Sequence, residues 1–539
     1  MLSQPPAVER GLVLALLAFL ALNALVVARA DTPTVDEFVY LPAGHYHLVT
    51  GDLTFDPTNP PLLKMVMALP LLAMDVRAER DPRWRDDRTG WGPWVYGTRF
   101  MEVNRARYFD AFFAGRLTTI VLALATGALL WWWARRATTP AAALGALFLW
   151  CTQPTVIAHG ALATLDMGVT ALVLAAFAAL ARFAESEERP WAAVAGGLFG
   201  LGIAAKGVTL IFAPLVPLLL ALGWRGRGRE RVLELADGLV VFVVAAWVTL
   251  LAVYRFSGFP LPAPVIEGIR FQAKASSTGE FPAFLNGQWS QTGWWYYFLE
   301  AFALKTPLAT IALVLAGLVV VARRRVRADL WFVLPPLLLF YVLSFHFGKN
   351  YGVRYLLPAL PFLFVLGGRG ADALLGSRRA RAALAALAVW QVGACVVNAP
   401  HHLAYFNELA GGVDHHRRLL LDSNLDWGQD LGRLKTWLDG QGTNRVALAY
   451  FGHVDPGLYG LEWTPPPPAP TPGRYVVSAN YLAGYAYAIT YARDRMIGVR
   501  RGQWSWLDRL PPTARIGRSL LAFDVGDDDV RRLAAEPAR

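Results

Sequence analysis

The sequence predicts an all-α polytopic membrane protein with about eleven transmembrane helices in residues 1–398, followed by a small α/β domain in residues 399–539. Three observations carry that prediction. First, 55% of the 539 residues are hydrophobic and only 17% are charged, against roughly a quarter in soluble domains. Second, apolar runs long enough to cross a bilayer recur through the first four hundred residues, with arginines clustered between them. Third, the texture changes after residue 398 to short alternating and amphipathic segments. The net charge of +11 would suggest a nucleic-acid partner in a soluble protein. Here the cations punctuate apolar runs, so they report topology and no nucleic acid is expected.

Membrane-length runs lie near 11–29, 112–134, 139–157, 166–183, 191–205, 207–223, 234–254, 302–322, 329–346, 355–374 and 382–398. Several are short or interrupted by Gly and Pro. The first has Arg10 before it and Ala28-Arg29-Ala30 after it, like a cleaved leader. It exceeds the roughly 7–15 residues of a signal core, so it reads as an uncleaved span. Arg135-Arg136, then Arg225, Arg227, Arg229 and Arg231, then Arg323-Arg324-Arg325 and Arg327, then Arg378, Arg379 and Arg381 fall on one side. The positive-inside rule makes that side cytoplasmic. Near 184–190 the rule is weakest, because Glu185, Glu187 and Glu188 dilute Arg189. The opposite face receives the loop 30–111, a short loop near 158–165, the loop 255–301, the turn 347–354 and the C-terminal domain. All residues with chemical potential gather there.

Within the first loop, Pro61 to Met74 reads as an interfacial helix, and 80–110, rich in Arg, Asp and Trp, as a surface loop. The second loop ends in an aromatic belt, Gly293-Trp294-Trp295-Tyr296-Tyr297-Phe298, before Lys305-Thr306-Pro307. Beyond 398, Asp430–Gln441 reads as a short amphipathic helix. Arg445–Tyr450, Tyr475–Ser478 and Ser519–Phe523 read as strands, and Pro465–Pro468 as a stiff spacer.

The most informative residues follow the first span. Asp36 and Glu37 are adjacent, so on a helix they point about 100° apart and only one can face a given site. Asp36 is the preferred candidate; the plain alternative is an acidic helix start. About twenty residues later comes Asp56-Pro57-Thr58-Asn59-Pro60-Pro61-Leu62-Leu63-Lys64. A carboxylate can deprotonate a hydroxyl, and a nearby cation can hold a departing phosphate. Thr164 and Asp166 read equally as helix caps or as site residues. Lys206 and Lys305 stand at span ends, where lysines commonly extend to the interface. Arg116 lies inside a span and needs a partner, structural or ligand.

Metal chemistry finds little support. Cys151 and Cys395 fall in apolar runs and offer no disulfide framework, and the histidines lack zinc spacing. Asp422-x-Asn424-x-Asp426 starts like a calcium loop, but Trp427 stands where that loop needs Gly and Arg433 where it needs Glu. Asp527-Asp528-Asp529 is most simply a solvated surface. No metal or cofactor is expected.

Val35-Asp36-Glu37 and Phe55-Asp56 leading into Pro60-Pro61-Leu62-Leu63-Lys64 resemble the first extracytoplasmic loop of the protein O-mannosyltransferase family. They are similar also to the aminoarabinose transferases, relatives among the polyprenyl-phosphate-dependent glycosyltransferases of the GT-C fold. The likeness runs on through Ala163-Thr164-Leu165-Asp166, Gly202-Ile203-Ala204-Ala205-Lys206-Gly207 and Arg354-Tyr355-Leu356-Leu357-Pro358. The aromatic belt, Tyr405-Phe406-Asn407-Glu408 and Asp422 to Asp430 resemble a bacterial branch of these enzymes.

That resemblance implies a membrane glycosyltransferase in a bacterial cytoplasmic membrane, acting on its extracytoplasmic face. Its donor would be a polyprenyl-phosphate sugar and its acceptor a protein, lipid or glycan hydroxyl. Asp36 would be the base for an inverting attack, with Glu37 and Asp166 as the other catalytic candidates. Lys64 and Arg354 would hold the phosphate, aided by Lys349, Lys206 and Lys305; Lys349 equally suits a helix cap. This chain departs from those families at Asn59, where aminoarabinose transferases have Lys and O-mannosyltransferases usually His. Sugar and acceptor identity therefore do not carry over. The rivals are a lipid A-type transferase and a non-enzymatic sugar-lipid transporter, whose ionisable groups would line a midplane path between repeated halves.

Overall fold

The computed structural model describes residues 6–79, 92–223, 229–277, 282–325, 327–492 and 495–535. The predicted surface loop therefore lies outside the described residues over 80–91, as do Arg225 and Arg227. Among the described residues six helices are long and apolar enough to cross a membrane: Ala7–Ala30, Tyr108–Ala137, Leu165–Ser186, Val232–Val253, Arg327–Phe345 and Val353–Gly376. Two bent pairs, Pro140–Thr152 with Pro154–Gly160 (61°) and Tyr297–Lys305 with Leu308–Arg324 (117°), bring the number to eight if each is one span. Prolines 154 and 307 stand at the breaks, where the preceding residue is pushed out of helical geometry. The expected count of eleven is not reached. All eleven predicted runs are helical, but Arg189–Ala205 has 17 residues, Gly207–Leu222 is also short, and Arg378–Val396, with 19 residues, is not among the helices apolar enough to cross. The chain is thus a multi-pass membrane protein.

Small residues let these helices approach closely where lipid supplies no hydrophobic drive between them. A methyl group on Gly317 would fall 1.8 Å from the Leu366 carbonyl oxygen of the neighbouring span. At the opposite end of the bundle from the candidate site, Arg369 pairs with the buried Asp329 and Arg135 with Glu9 (2.6 Å).

The interfacial helix predicted from Pro61 runs as Leu62–Ala68 and a tighter turn, Leu69–Ala73. It buries Leu63, Lys64, Met67 and Leu71 and exposes Leu69 and Leu72, as a helix lying along a surface should. The second loop contains helix Ala263–Ser277 and a hairpin, Ala283–Leu285 with Gln288–Ser290, which the composition reading missed.

The C-terminal region is built on a five-stranded sheet in the order Glu462–Thr464, Arg445–Ala449, Gly473–Ser478, Leu520–Val525, Ala514–Ile516. The first three strands are parallel and the last two pairings antiparallel. Helix Leu431–Gly440 buries Leu431, Leu434 and Leu438. This sheet does not hang free of the membrane part. The Thr32 amide donates to the Gln429 carbonyl (2.9 Å) and the Val35 amide to the Trp427 carbonyl (3.0 Å). Arg433 adds an ion pair with Asp31 at 2.7 Å. These contacts bring the segment 422–430 directly over the end of the first span.

Candidate active site

Four ionisable side chains meet at that end of the bundle, each delivered by the end of a different helix. Asp36 caps helix Glu37–Thr50, and Asp166 sits in the first turn of Leu165–Ser186. Lys206 ends Arg189–Ala205, and Arg354 lies in the turn Val353–Ala359 that opens the next span. The Lys206 ammonium donates to Asp166 Oδ1 at 2.5 Å. Arg354 Nη1 donates to Asp36 Oδ2 and stands 3.8 Å from Asp166 Oδ2. One guanidinium is therefore shared between two carboxylates, and the group as a whole is electrically balanced.

Aromatic faces support both cations. The Arg354 guanidinium carbon lies 4.3 Å from the Trp427 ring centre and Lys206 Nζ 5.0 Å from that of Tyr355. Asp166 and Arg354 are nearly sealed, at 3% and 9% side-chain exposure, whereas Asp36 (17%) and Lys206 (15%) keep an outlet. Arg354 Nε and Asp166 Oδ2 are buried without hydrogen-bond partners. Such orphaned polar atoms are costly unless something occupies them.

Glu37, one of the three carboxylates expected to be catalytic, does not join the group. Its two oxygens receive Arg116 Nε and Nη2, each at 2.7 Å. They also accept from the amides of Ala163 (2.7 Å) and Thr34 (2.8 Å). Arg116 spends its remaining donors on the carbonyls of Ala28, Asp31 and Thr32. Glu37 is fully enclosed, and the pair is a structural clamp behind the site. The helix that aims Asp36 outward turns Glu37 inward, as their angular separation requires.

Lys64 also lies off the shared guanidinium. Its ammonium donates to Asp56 Oδ2 (2.8 Å) and to the Asp56 carbonyl (3.0 Å), with no exposure at all. Burial holds its pKa below the usual lysine value, and the Asp56 carboxylate offsets only part of that. Asp56 adopts a left-handed backbone (φ 50°), a conformation Asp tolerates better than most residues. Gly44 presses helix Glu37–Thr50 against this turn: a Cβ there would meet the Lys64 carbonyl oxygen at 1.9 Å.

Lys349 belongs to the same polar chain. Its ammonium donates to Gln272 Oε1 (2.8 Å), Gln272 Nε2 to the Thr58 carbonyl (3.0 Å), and the Thr58 hydroxyl to Asp56 Oδ1. Lys305 is apart from both groups. At the elbow of the 117° bend, it donates to the carbonyls of Leu403 (2.9 Å) and Asn424, which makes it a strut between the spans and the C-terminal region. Of the five expected phosphate-binding cations, the structure brings Arg354 and Lys206 together, links Lys64 with Lys349, and places Lys305 apart, bonded to two backbone carbonyls.

The false calcium loop is accounted for by other partners. Asp422 receives Tyr485 Oη (3.1 Å), Asn424 Oδ1 receives the Val353 amide (3.0 Å), and Asp426 receives the Gly428 amide (3.0 Å) and the Ser478 hydroxyl. Among the described residues no group of three His, Cys, Asp or Glu side chains is arranged to hold a metal ion. Trp427 and Asp56 were missed as site residues. Both lie inside quoted motifs, but nothing local in the sequence says that a tryptophan would underlie Arg354.

The fold and this ion group define a multi-pass membrane protein whose polar site lies at one end of its spans, beneath a mixed α/β cap. It has the fold of the GT-C glycosyltransferases. Over 99% of this chain and 100% of the other, it superposes on ArnT from Cupriavidus metallidurans in the apo state with a TM-score of 0.51 and 16% identity. The undecaprenyl-phosphate-bound form of that protein gives 0.50 and 16% identity over 97% and 99%. The Saccharomyces cerevisiae protein O-mannosyltransferase Pmt1-Pmt2 complex, bound to the sugar donor, aligns more loosely, at 0.37 and 16% identity over 52% and 38%. A family model described as dolichyl-phosphate-mannose-protein mannosyltransferase matches residues 108–250, the stretch that carries Asp166 and Lys206. No curated protein sequence matches.

Proposed function

We propose that this protein transfers a sugar from a polyprenyl-phosphate donor to an acceptor hydroxyl, with inversion, at the extracytoplasmic face of a bacterial cytoplasmic membrane. The observation that carries the reading is the sharing of Arg354 between Asp36 and Asp166. Asp36 takes the acceptor proton as the acceptor oxygen attacks the anomeric carbon. The carbon–oxygen bond to phosphate breaks, and its electron pair leaves with the polyprenyl phosphate. Arg354 and Lys206 stabilise that charge, and Asp166 holds both cations in position. A phosphate arriving at Arg354 competes with Asp36 for the guanidinium, so donor binding itself releases the base. The unpartnered Arg354 Nε supplies a further donor for the phosphate. Lys64 and Lys349 support the donor from the neighbouring polar chain.

The cation role falls to side chains, so the reading calls for no metal or cofactor. A protein, lipid or glycan acceptor fits equally. The ionisable groups sit at one end of the spans, which favours an enzyme over a transporter with a midplane path.

The test is transfer by the full chain in nanodiscs, supplied with undecaprenyl-phosphate sugars and read as release of undecaprenyl phosphate. Asp36→Asn should lower turnover by about 10²–10⁴-fold while the donor still binds, and EDTA should leave the wild type unaffected. Near-normal turnover of the variant would remove Asp36 from its role. Mass spectrometry of the copurifying lipid would name the sugar.

A further inference from the structure

The chain that follows span Val232–Val253 turns back along the span instead of leaving it. The span has 22 residues and rises about 33 Å, close to the roughly 30 Å of a hydrocarbon core, so Val253 marks one boundary of that core. Just beyond it the backbone reverses. Arg255 and Phe256 are consecutive non-glycine residues with positive φ (53° and 55°), a conformation that such side chains seldom adopt. By Pro260 the chain again lies beside the helix. Trp247 Nε1 donates to the Pro260 carbonyl (2.8 Å), and the Phe259 ring centre stands 5.5 Å from that of Trp247. Trp247 precedes Val253 by six residues, which puts it about 9 Å deeper at 1.5 Å per residue. Helical side chains lean toward the N-terminus, here further into the bilayer.

The returning segment is apolar and uncovered: Phe259 and Phe256 are 80% and 63% exposed, and Leu261 is exposed beside them. An exposed apolar cluster of this kind marks an interaction surface. What it meets follows from its neighbours. Val240, Val243, Val244 and Val248 are exposed on the same span at the spacing of one helical face, and in a bilayer that face meets acyl chains. Trp247 belongs to that face by the same spacing, so Phe259, packed on Trp247, continues the lipid-facing surface. Helix Ala263–Ser277 extends the pattern. Val265, Gly268 and Gln272 share its inward side, where a Cβ on Gly268 would fall 2.5 Å from the Pro57 carbonyl oxygen. Ile266 and Ile269 form an exposed stripe next to that side, and Glu267, Arg270 and Lys274 an exposed charged stripe beyond it. Adjacent apolar and charged stripes are the mark of a helix lying in the interface plane.

We infer that residues 256–271 are a membrane-inserted wedge whose partner is the lipid bilayer itself. Phe256, Phe259 and Leu261 enter the acyl region, and helix Ala263–Ser277 lies at its boundary with the charged stripe toward water. This placement needs only the multi-pass fold and not the catalytic assignment. Its consequence for the site is mechanical. The seated helix supplies Gln272, which accepts from Lys349 and donates to the Thr58 carbonyl. The wedge therefore pins one wall of the Lys64–Lys349 polar chain at the level of the lipid.

The experiment is fluorescence quenching on the full chain in nanodiscs, with bimane attached at Phe259→Cys, Ile269→Cys or Glu267→Cys. Cys151 and Cys395 are buried, so the labelling background is low. All three replaced side chains are exposed, so the variants keep the buried packing; Phe256→Cys takes the place of Phe259→Cys if that variant fails to fold. Phosphatidylcholine brominated on its acyl chains should quench the labels at 259 and 269 about twofold or more, as expected for groups at or below the acyl boundary. Aqueous iodide should leave those two labels nearly unquenched and quench the label at 267. Iodide quenching at 259 or 269 equal to that at 267 would place the segment in water and overturn the wedge. Protection of 259 or 269 from both quenchers would mean that protein, such as a second copy of this chain, covers the surface, and would overturn it equally.

Discussion

A guanidinium carries its donors in a fixed plane, so one nitrogen can face carboxylates while others stay available to a phosphate, and an ammonium cannot reproduce that spread. Arg354 reaches Asp36 and Asp166 while lying against Trp427. Arg354→Lys keeps the charge but loses the fork and the stacking. It should weaken undecaprenyl-phosphate binding by about 10- to 100-fold, the worth of one or two charge-assisted hydrogen bonds. Unchanged affinity in a lipid-binding titration would discard the phosphate assignment. Glu37 teaches the opposite lesson from the next position. Glu37→Ala strands Arg116 as a buried, uncompensated charge, and should cost about 3–5 kcal/mol of stability. A melting temperature equal to that of the wild type in detergent would refute the clamp. At this scale the sequence showed that only one of the two acids would face a site, and favoured Asp36. It did not show which partner each lysine would find. Lys64 and Lys305 are solvated by groups 8 and about 100 residues away, and such contacts leave no trace in local spacing.

Helices and strands were read with uneven success, for reasons that lie in their periodicity. Leu431–Gly440, Arg445–Ala449, Gly473–Ser478 and Leu520–Val525 lie within a few residues of expectation, because each is amphipathic or β-branched between turn residues. The two-residue hairpin at Asn286-Gly287, both with positive φ, was equally legible and was overlooked among the aromatic residues that follow. The segment holding Asp426 carries a pH consequence. Burial lifts its carboxyl from near 3.8 to about 7. Between those values the unfolded chain has released the proton and the folded chain retains it. The folded state then binds more protons, so stability falls as pH rises across that window and levels off above it. The effect is roughly 4 kcal/mol at most. Asp426→Asn should flatten part of that slope in thermal melts from pH 4 to pH 8. An unaltered slope would show that Asp426 is ionised throughout.

Across the whole molecule, hydropathy located the apolar helices, but not how many are complete crossings. Bent pairs and short helices are defined by their neighbours rather than by their own composition. The positive-inside reading puts the ion group and the α/β cap outside the cytoplasm. Glu462 stands exposed on an edge strand of that cap, while Cys151 and Cys395 are buried. Glu462→Cys should therefore react with a membrane-impermeant maleimide on intact cells, against a low background. Labelling only after lysis would invert the topology. One last property concerns exchange of parts. The hydrogen bonds running from Lys349 through Gln272 and Thr58 to Asp56 and Lys64 tie three separate stretches of chain into one unit. A chimera that imports the first loop from a homologue without the helix bearing Gln272 would break this seam, so successful grafts must move both together.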